Sequence, residues 1–205
     1  MTIGVTGPSG AGKSLFCSLL AERGFCVLDC DKIYHSIISA PSDCTRELAA
    51  TFGSGILLPS GGVDRSALSN IVFFDPSLLA RLNRITHKYV RVELTRLMSE
   101  ADMPIVIDAP LLFEAKCDRL CDATIGILAA NADRVARLWA RDGAHRTHGQ
   151  LSARIDASPP DDFYKERCTH IFTNDRGTAA LCEFADKITE LYGLRNASTE
   201  EAIKA

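Results

Sequence analysis

Short β-branched and aliphatic runs alternate along the chain with longer stretches in which apolar residues recur at helical spacing, the pattern of an α/β fold on a parallel sheet. Five runs read as strands: Thr2 to Thr6, Phe25 to Leu28, Ile105 to Asp108, Ala123 to Ala129 and His170 to Thr173. Each precedes a segment that can be helical, so right-handed crossovers are expected. Roughly 75 residues separate the second run from the third, far more than one crossover helix needs. Within them Leu48 and Phe52, then Leu78, Leu79, Leu82 and Ile85, then Val90, Leu94 and Leu97 keep spacings of three and four, while Gly53, Gly55, Gly61 and Gly62 mark a loop. The pattern predicts a small helical insertion. A second unusual stretch, from about Asp142 to Thr169, is polar, carries Arg146, Arg154, Lys165, Pro159 and Pro160, and has a weak apolar face. It reads as a mobile lid or as two short surface helices.

Length changes this picture little, since 205 residues suit one compact domain with an insertion. Apolar residues at 46% and charged residues at 24% exclude a disordered chain. A net charge of −3 offers no global basic field for nucleic acid or an anionic membrane, so neither is an expected partner and any phosphate site must be local. No apolar run approaches a membrane span, and Met1 to Gly7 has no leader character, so a cytoplasmic location is expected. Eight cysteines then read as reduced, small hydrophobes. Cys26 and Cys30, like Cys117 and Cys121, are four apart, with no histidine at zinc-ligand spacing.

The chemistry begins at Gly7-Pro8-Ser9-Gly10-Ala11-Gly12-Lys13-Ser14, a full phosphate-loop motif after the first strand and before a helical face of Leu15, Phe16, Leu19 and Leu20. Glycines let successive N–H groups converge on phosphate oxygens at a helix N-terminus, where the dipole favours anions. Ser9, Gly10, Ala11, Gly12, Lys13, Ser14 and Leu15 are therefore expected to hold a nucleoside triphosphate, with Lys13 on the β- and γ-phosphates and the Ser14 hydroxyl on Mg²⁺.

Phosphoryl transfer also needs a group to deprotonate or orient the acceptor and cations on the migrating group. Asp29 and Asp31 end the second strand at the carboxyl edge of the sheet, where ligands collect, although Asp31 also suits a helix cap. Asp108 ends the third strand, the usual place of a metal-ligating carboxylate. Arg134, Arg137 and Arg141 share one helical face, with Arg134 expected in solvent. His35 and His87 lie in the insertion, where they can meet substrate; His145 and His148 lie in the lid stretch and read as solvated or core groups.

Taken in order, these pieces resemble the dephospho-coenzyme A kinases over about residues 1 to 191. The match runs through the loop at Gly7 to Ser14, Asp29-Cys30-Asp31 with Ile33 and His35, Phe52-Gly53, Gly62-Val63-Asp64-Arg65, Leu68, Val72-Phe73, Asp75-Pro76, Leu82 and Ile85-Thr86-His87. It continues through Pro110-Leu111-Leu112-Phe113-Glu114, Arg137, Arg141-Asp142-Gly143, Arg154-Ile155, Lys165 and Asn174. The resemblance implies a P-loop NTPase fold, with a five-stranded parallel sheet in order 2-3-1-4-5, a helical insertion and a lid. It also implies ATP-dependent phosphorylation of the ribose 3′-hydroxyl of dephospho-coenzyme A. By the same resemblance Asp31 is the base and Arg141 contacts the transferring phosphate. Asn174 stands on the adenine side, and Asp31, His35, Arg65, His87, Pro110, Leu111 and Glu114 face the acceptor, with Ser14 and Asp108 on the metal.

The implied organisation is a nucleotide-binding core of 1–30, 104–141 and 169–195, an acceptor-binding insertion of 31–103, a lid of 142–168 and a flexible tail of 196–205. Four departures from the family pattern stand out: Pro8 for Gly, Lys88 for the Pro after His87, Ser158 for a lid Gln, and Cys168-Thr169 for Ala-Asp. Two other readings share much of this pattern, another small P-loop kinase and a nucleotide-dependent switch. The acceptor separates the first. The placement of Asp31 and Arg141 beside an acceptor-sized insertion argues against the second.

Overall fold

The computed structural model describes residues 1–143 and 147–193. His145, Arg146 and the tail 196–205 lie outside the described residues, as do the side chains of His148 and Arg154. The strands are β1 (Thr2–Thr6), β2 (Cys26–Asp29), β3 (Ile105–Asp108), β4 (Ala123–Leu128) and β5 (His170–Thr173), and they form one parallel sheet in the order β2-β3-β1-β4-β5. Every residue of β1 and β4 is buried, as expected for strands covered on both faces.

Two strand ends differ from the sequence reading, each for a local reason. The Phe25 N–H donates to the Leu20 carbonyl at 3.1 Å, so Phe25 closes the preceding helix and β2 begins at Cys26. Ala129 lies beyond β4, leading into a helix whose cap is Ala130.

The chain divides into two compact units. The first comprises Met1–Val27, Ala101–Leu112 and the residues from Cys117 onward. In it α1 (Lys13–Glu22) and the last described helix, Gly177–Tyr192, pack Phe16, Cys17, Leu19 and Leu20 against Leu181, Ala185 and Ile188. Leu15, expected on that apolar face, is instead 43% exposed, because it falls on the side of the helix away from the face that begins at Phe16.

The second unit, Leu28–Glu100 with Phe113–Lys116, holds α2 (Cys30–Ser39), α3 (Asp43–Phe52), α4 (Arg65–Val72) and α5 (Pro76–Ser99). Ile38, Leu48, Ile56, Leu68, Val72, Leu82 and Ile85 form its core. Leu79, expected to join them, is exposed. Each helix starts on a side-chain cap: Asp29 accepts from the Lys32 N–H, Ser42 from Thr45, Asp64 from Ser66 and Ala67, and Asp75 from Ser77 and Leu78 ahead of Pro76. Such caps contribute about 1 kcal/mol apiece and fix where each helix begins.

The lid stretch contains α7 (His148–Asp156) and α8 (Asp161–Lys165), after α6 (Asn131–Asp142); the Gly177–Tyr192 helix is α9. Its apolar face is stronger than the sequence suggests, since Leu151 and Ile155 are buried against Leu138 and Val135 of α6. Among the described residues no helix is long and apolar enough to cross a membrane.

Candidate active site

β1 runs directly into the phosphate loop. Gly7, Gly10 and Gly12 take φ of 136°, 82° and 110°, in the region that favours glycine. A Cβ on Gly7 would stand 2.1 Å from the Ile127 carbonyl oxygen, and one on Gly12 2.5 Å from Asn174 Nδ2, so these two positions are closed to side chains. Gly12 caps α1 with no side-chain hydrogen bond, unlike the carboxylate or hydroxyl that starts each helix of the second unit. Lys13 folds back over the loop, its Nζ 2.7 Å from the Gly7 carbonyl and 3.2 Å from that of Pro8. Asp108 lies in register with Val5 across the β1–β3 pair, and Thr6 Oγ1 donates to the Pro110 carbonyl at 3.3 Å.

Behind the loop stands a set of donors that the sequence reading did not anticipate. Arg134, expected in solvent, is 4% exposed; its Nε donates to the Ser9 carbonyl at 2.9 Å, with further bonds to Asn131 Oδ1 at 2.8 Å and Ser158 Oγ at 3.2 Å. Burial pulls its pKa down, yet an arginine stays charged. Arg137 donates to the carbonyls of Ala11 at 3.2 Å, Gly10 at 3.4 Å and Asn174 at 3.0 Å. The Asn174 amide, buried, donates to Ala11 O at 2.9 Å. The carbonyls of Gly7, Pro8, Ser9, Gly10 and Ala11 thus all accept from side chains. In a trans peptide the N–H points opposite to the carbonyl, so the Ser9, Gly10 and Gly12 N–H groups turn away from these donors. That orientation suits an anion. Helical spacing revealed that the arginines share a face but not that the face turns inward. Arg141, one turn further along, is exposed and forms a two-pronged pair with Asp142 at 2.8 Å, which raises its pKa.

In the second unit the structure corrects the reading of the paired carboxylates. Asp29 alone ends the strand, and it is Asp29 that caps α2; Asp31 is exposed in the first helical turn. His35 follows Asp31 by one turn, its ring 5.6 Å from that of Tyr34. Arg65 is the first residue of α4 and its charge partly offsets the burial that raises the Tyr34 phenol pKa. His87, half-buried on α5, has its pKa lowered by burial and then by Arg91, against an opposing hydrogen bond to the Glu114 backbone. Pro110 and Leu111 are exposed in the first unit, whereas Glu114 belongs to the second.

A model of the dephospho-CoA kinase family matches residues 1–180. The chain belongs to the dephospho-CoA kinase family. It is accordingly a kinase with a nucleotide-binding phosphate loop. It is 35% identical over 190 residues to a dephospho-CoA kinase of Anaeromyxobacter dehalogenans, covering 91% of this chain and 89% of that one. It is similar to a crystal structure from Thermus thermophilus at 31% identity and a TM-score of 0.79, over 94% of this chain and 98% of that one. A dephospho-CoA kinase structure from Campylobacter jejuni, at 21% identity, TM-score 0.60 and coverage of 94% and 97%, shares the fold.

Within the family frame each departure has a structural account. Pro8 contributes a carbonyl that accepts from Lys13 and from the Ala11 N–H, and neither bond needs a Pro8 donor. Without a proline at 88, α5 is one uninterrupted helix, and Lys88 pairs with Glu47 of α3, which also accepts from the Tyr89 hydroxyl. Ser158 accepts from Arg134. Thr169 and Thr124 exchange N–H to Oγ1 bonds at 3.0 and 3.1 Å, joining the starts of β5 and β4. Burial pushes the Cys168 thiol up to about 11, which makes it inert.

Proposed function

We propose that the chain transfers the γ-phosphoryl group of ATP to the ribose 3′-hydroxyl of dephospho-CoA, giving CoA and ADP. The observation that carries this reading is the family match over residues 1–180, which takes in both the phosphate loop and the helical unit. The loop geometry supports a nucleotide triphosphate there, since a side chain on Gly7 or Gly12 would collide and the carbonyls are already engaged. The donor set also suits a hard cation: Ser14 and Asp108 offer oxygen ligands and would hold Mg²⁺. The ion, when bound, neutralises charge on the β- and γ-phosphates.

In this reading Lys13 sits on the β- and γ-phosphates, within a cradle of Ser9, Gly10, Ala11, Gly12, Ser14 and Leu15. Asp31 takes the proton of the 3′-hydroxyl as its oxygen bonds to the γ-phosphorus and the bond to the ADP oxygen breaks. Arg141 leaves Asp142 for the migrating phosphoryl group. Asn174 supports the adenine side while holding Ala11. His35, Arg65, His87, Pro110, Leu111 and Glu114 position the acceptor, with 142–168 acting as a lid. A cytoplasmic setting completes this reading.

The test is mass spectrometry of the purified chain with Mg²⁺, ATP and a panel of dephospho-CoA, adenosine and nucleoside monophosphates. One added phosphoryl group on dephospho-CoA is the expected result. Transfer to another acceptor in its place overturns the acceptor assignment, and ATP binding without transfer overturns the reaction.

A further inference from the structure

The second unit contains a cavity of about 380 Å³ lined by Asn83, Arg84, His87, Arg91, Glu114 and Lys116 among others. Arg84, His87 and Arg91 follow one another at three and four residues along α5, with Asn83 four before His87, so they share one face. Lys116 comes from the short segment after Glu114, where its φ of 58° is the one positive value at a non-glycine among the described residues. Such a conformation costs an ordinary side chain about 1 kcal/mol or more and persists only where its surroundings hold it. A bond from the Lys116 N–H to the Phe113 carbonyl at 3.0 Å fixes that turn.

Charge distinguishes this basin from the rest of α5. Elsewhere on the helix Lys88 pairs with Glu47, and Arg96 pairs with Glu93 and Glu100. In the basin, three permanent cations share the lining with a single carboxylate, Glu114, and the Arg84 charge is also felt by Glu47 outside it. Among the described residues Arg84, Arg91 and Lys116 have no carboxylate within ion-pair distance. Arg91 is fixed, donating to the Ala115 carbonyl at 2.6 Å. Arg84 and Lys116 are exposed. A concave cluster with cations in excess repels itself until an anion arrives, and guanidinium groups bind phosphate oxygens in two-pronged fashion.

We propose that this basin holds the diphosphate of the acceptor, with Arg84 and Lys116 contacting its oxygens and Arg91 as the fixed wall. The assignment rests on the reading of the acceptor as dephospho-CoA, whose diphosphate is the charged group that adenosine lacks. It makes Arg84 and Lys116 residues for acceptor recognition, which tie the substrate down away from the reacting hydroxyl.

The experiment is steady-state kinetics of the double variant Arg84→Gln, Lys116→Gln beside the wild type, varying dephospho-CoA and ATP separately at low and high salt. Loss of two charge-assisted contacts is expected to raise the KM for dephospho-CoA about 10- to 100-fold, well beyond any change in kcat or in the KM for ATP. The gap between wild type and variant closes as salt rises, and the charge-keeping pair Arg84→Lys, Lys116→Arg recovers most of the affinity. An unchanged KM for dephospho-CoA overturns the assignment. So does a rise in the KM for ATP instead, which gives the basin to the donor's phosphates, or a loss indifferent to salt, which marks a structural effect. A wild type that does not phosphorylate dephospho-CoA overturns the functional reading, and this assignment with it.

Discussion

Arg134 Nε lies 2.9 Å from the Ser9 carbonyl oxygen, joining the helix after β4 to the middle of a loop 125 residues earlier in the chain. The same guanidinium reaches Asn131 and Ser158, so one buried cation ties together the phosphate loop, the start of α6 and the segment after α7. The loop is held by side chains on its carbonyls, and the Ser9, Gly10 and Gly12 N–H groups turn away from those donors.

Removing that cation takes the donor from the half-buried Ser9 carbonyl and Ser158 hydroxyl and from the buried Ile155 carbonyl. Arg134→Ala is expected to cost about 2 kcal/mol, because buried and half-buried acceptors lose a charged donor, and to lower Tm by about 4 to 8 °C for a chain of this size. Arg134→Lys keeps the charge but lacks the planar fork, so it recovers only part of the loss. Thermal unfolding of the three proteins checks this; an Arg134→Ala protein with the wild-type Tm contradicts it.

Lys13, half-buried, bonds the Gly7 and Pro8 carbonyls within one loop rather than joining distant segments as Arg134 does, so its loss affects chemistry more than folding. Lys13→Ala should cut turnover at least about 100-fold through lost stabilisation of phosphate charge, with Tm within a few degrees of the wild type. Rates and melting curves measured on one preparation separate the two effects.

Gly7 gives a sharper steric test. Its φ of 136° and the 2.1 Å approach to Ile127 O close the position to any side chain, whereas Gly24, at φ 87°, has nothing within 4 Å of its would-be Cβ. Gly24→Ala therefore carries only the conformational cost, about 1 kcal/mol. Gly7→Ala must also displace β4, and is expected to yield little folded protein or a urea midpoint far below that of Gly24→Ala. Comparable midpoints for the two variants overturn this account.

These contrasts mark what the sequence carries and what it does not. Short runs of β-branched and aliphatic residues located the strands, which are buried on both faces, and spacings of three and four located the helical insertion, because both patterns are local. The phosphate loop was legible because its glycines are required by backbone geometry over eight consecutive residues. Arg134 was misjudged because helical spacing says which residues share a face, not which way that face turns. Asp29 and Asp31 were confused in role because two carboxylates two residues apart both suit a helix start, and only the φ, ψ values and the Lys32 N–H settle which one caps it. The basic basin was invisible because Lys116 and the Arg91 acceptor Ala115 come from a segment far along the chain from α5.

Asp31, freed from capping, stands exposed in the first turn of α2. If it is the base, Asp31→Asn lowers kcat by about 10² to 10⁴ and leaves the KM for ATP within about twofold, since the asparagine keeps shape and loses only the proton acceptor. A kcat within a factor of about two of the wild type removes the role from Asp31.

His87 makes stability depend on pH in a direction that the structure fixes. Burial first, and the Arg91 charge second, lower its pKa below the ordinary 6.5, against the opposing bond to the Glu114 backbone. The unfolded chain then binds a proton that the folded chain resists. Stability from this group is complete above pH 6.5 and declines as pH falls from there toward the folded pKa, below which both states are protonated and the loss levels off. His87→Gln removes the titration and should lose less stability than the wild type between about pH 7.5 and pH 5.5, since other groups contribute equally to both. Urea midpoints of the two proteins at the two pH values measure the difference. A wild type that weakens no more than His87→Gln over that interval means that the His87 pKa is not lowered on folding.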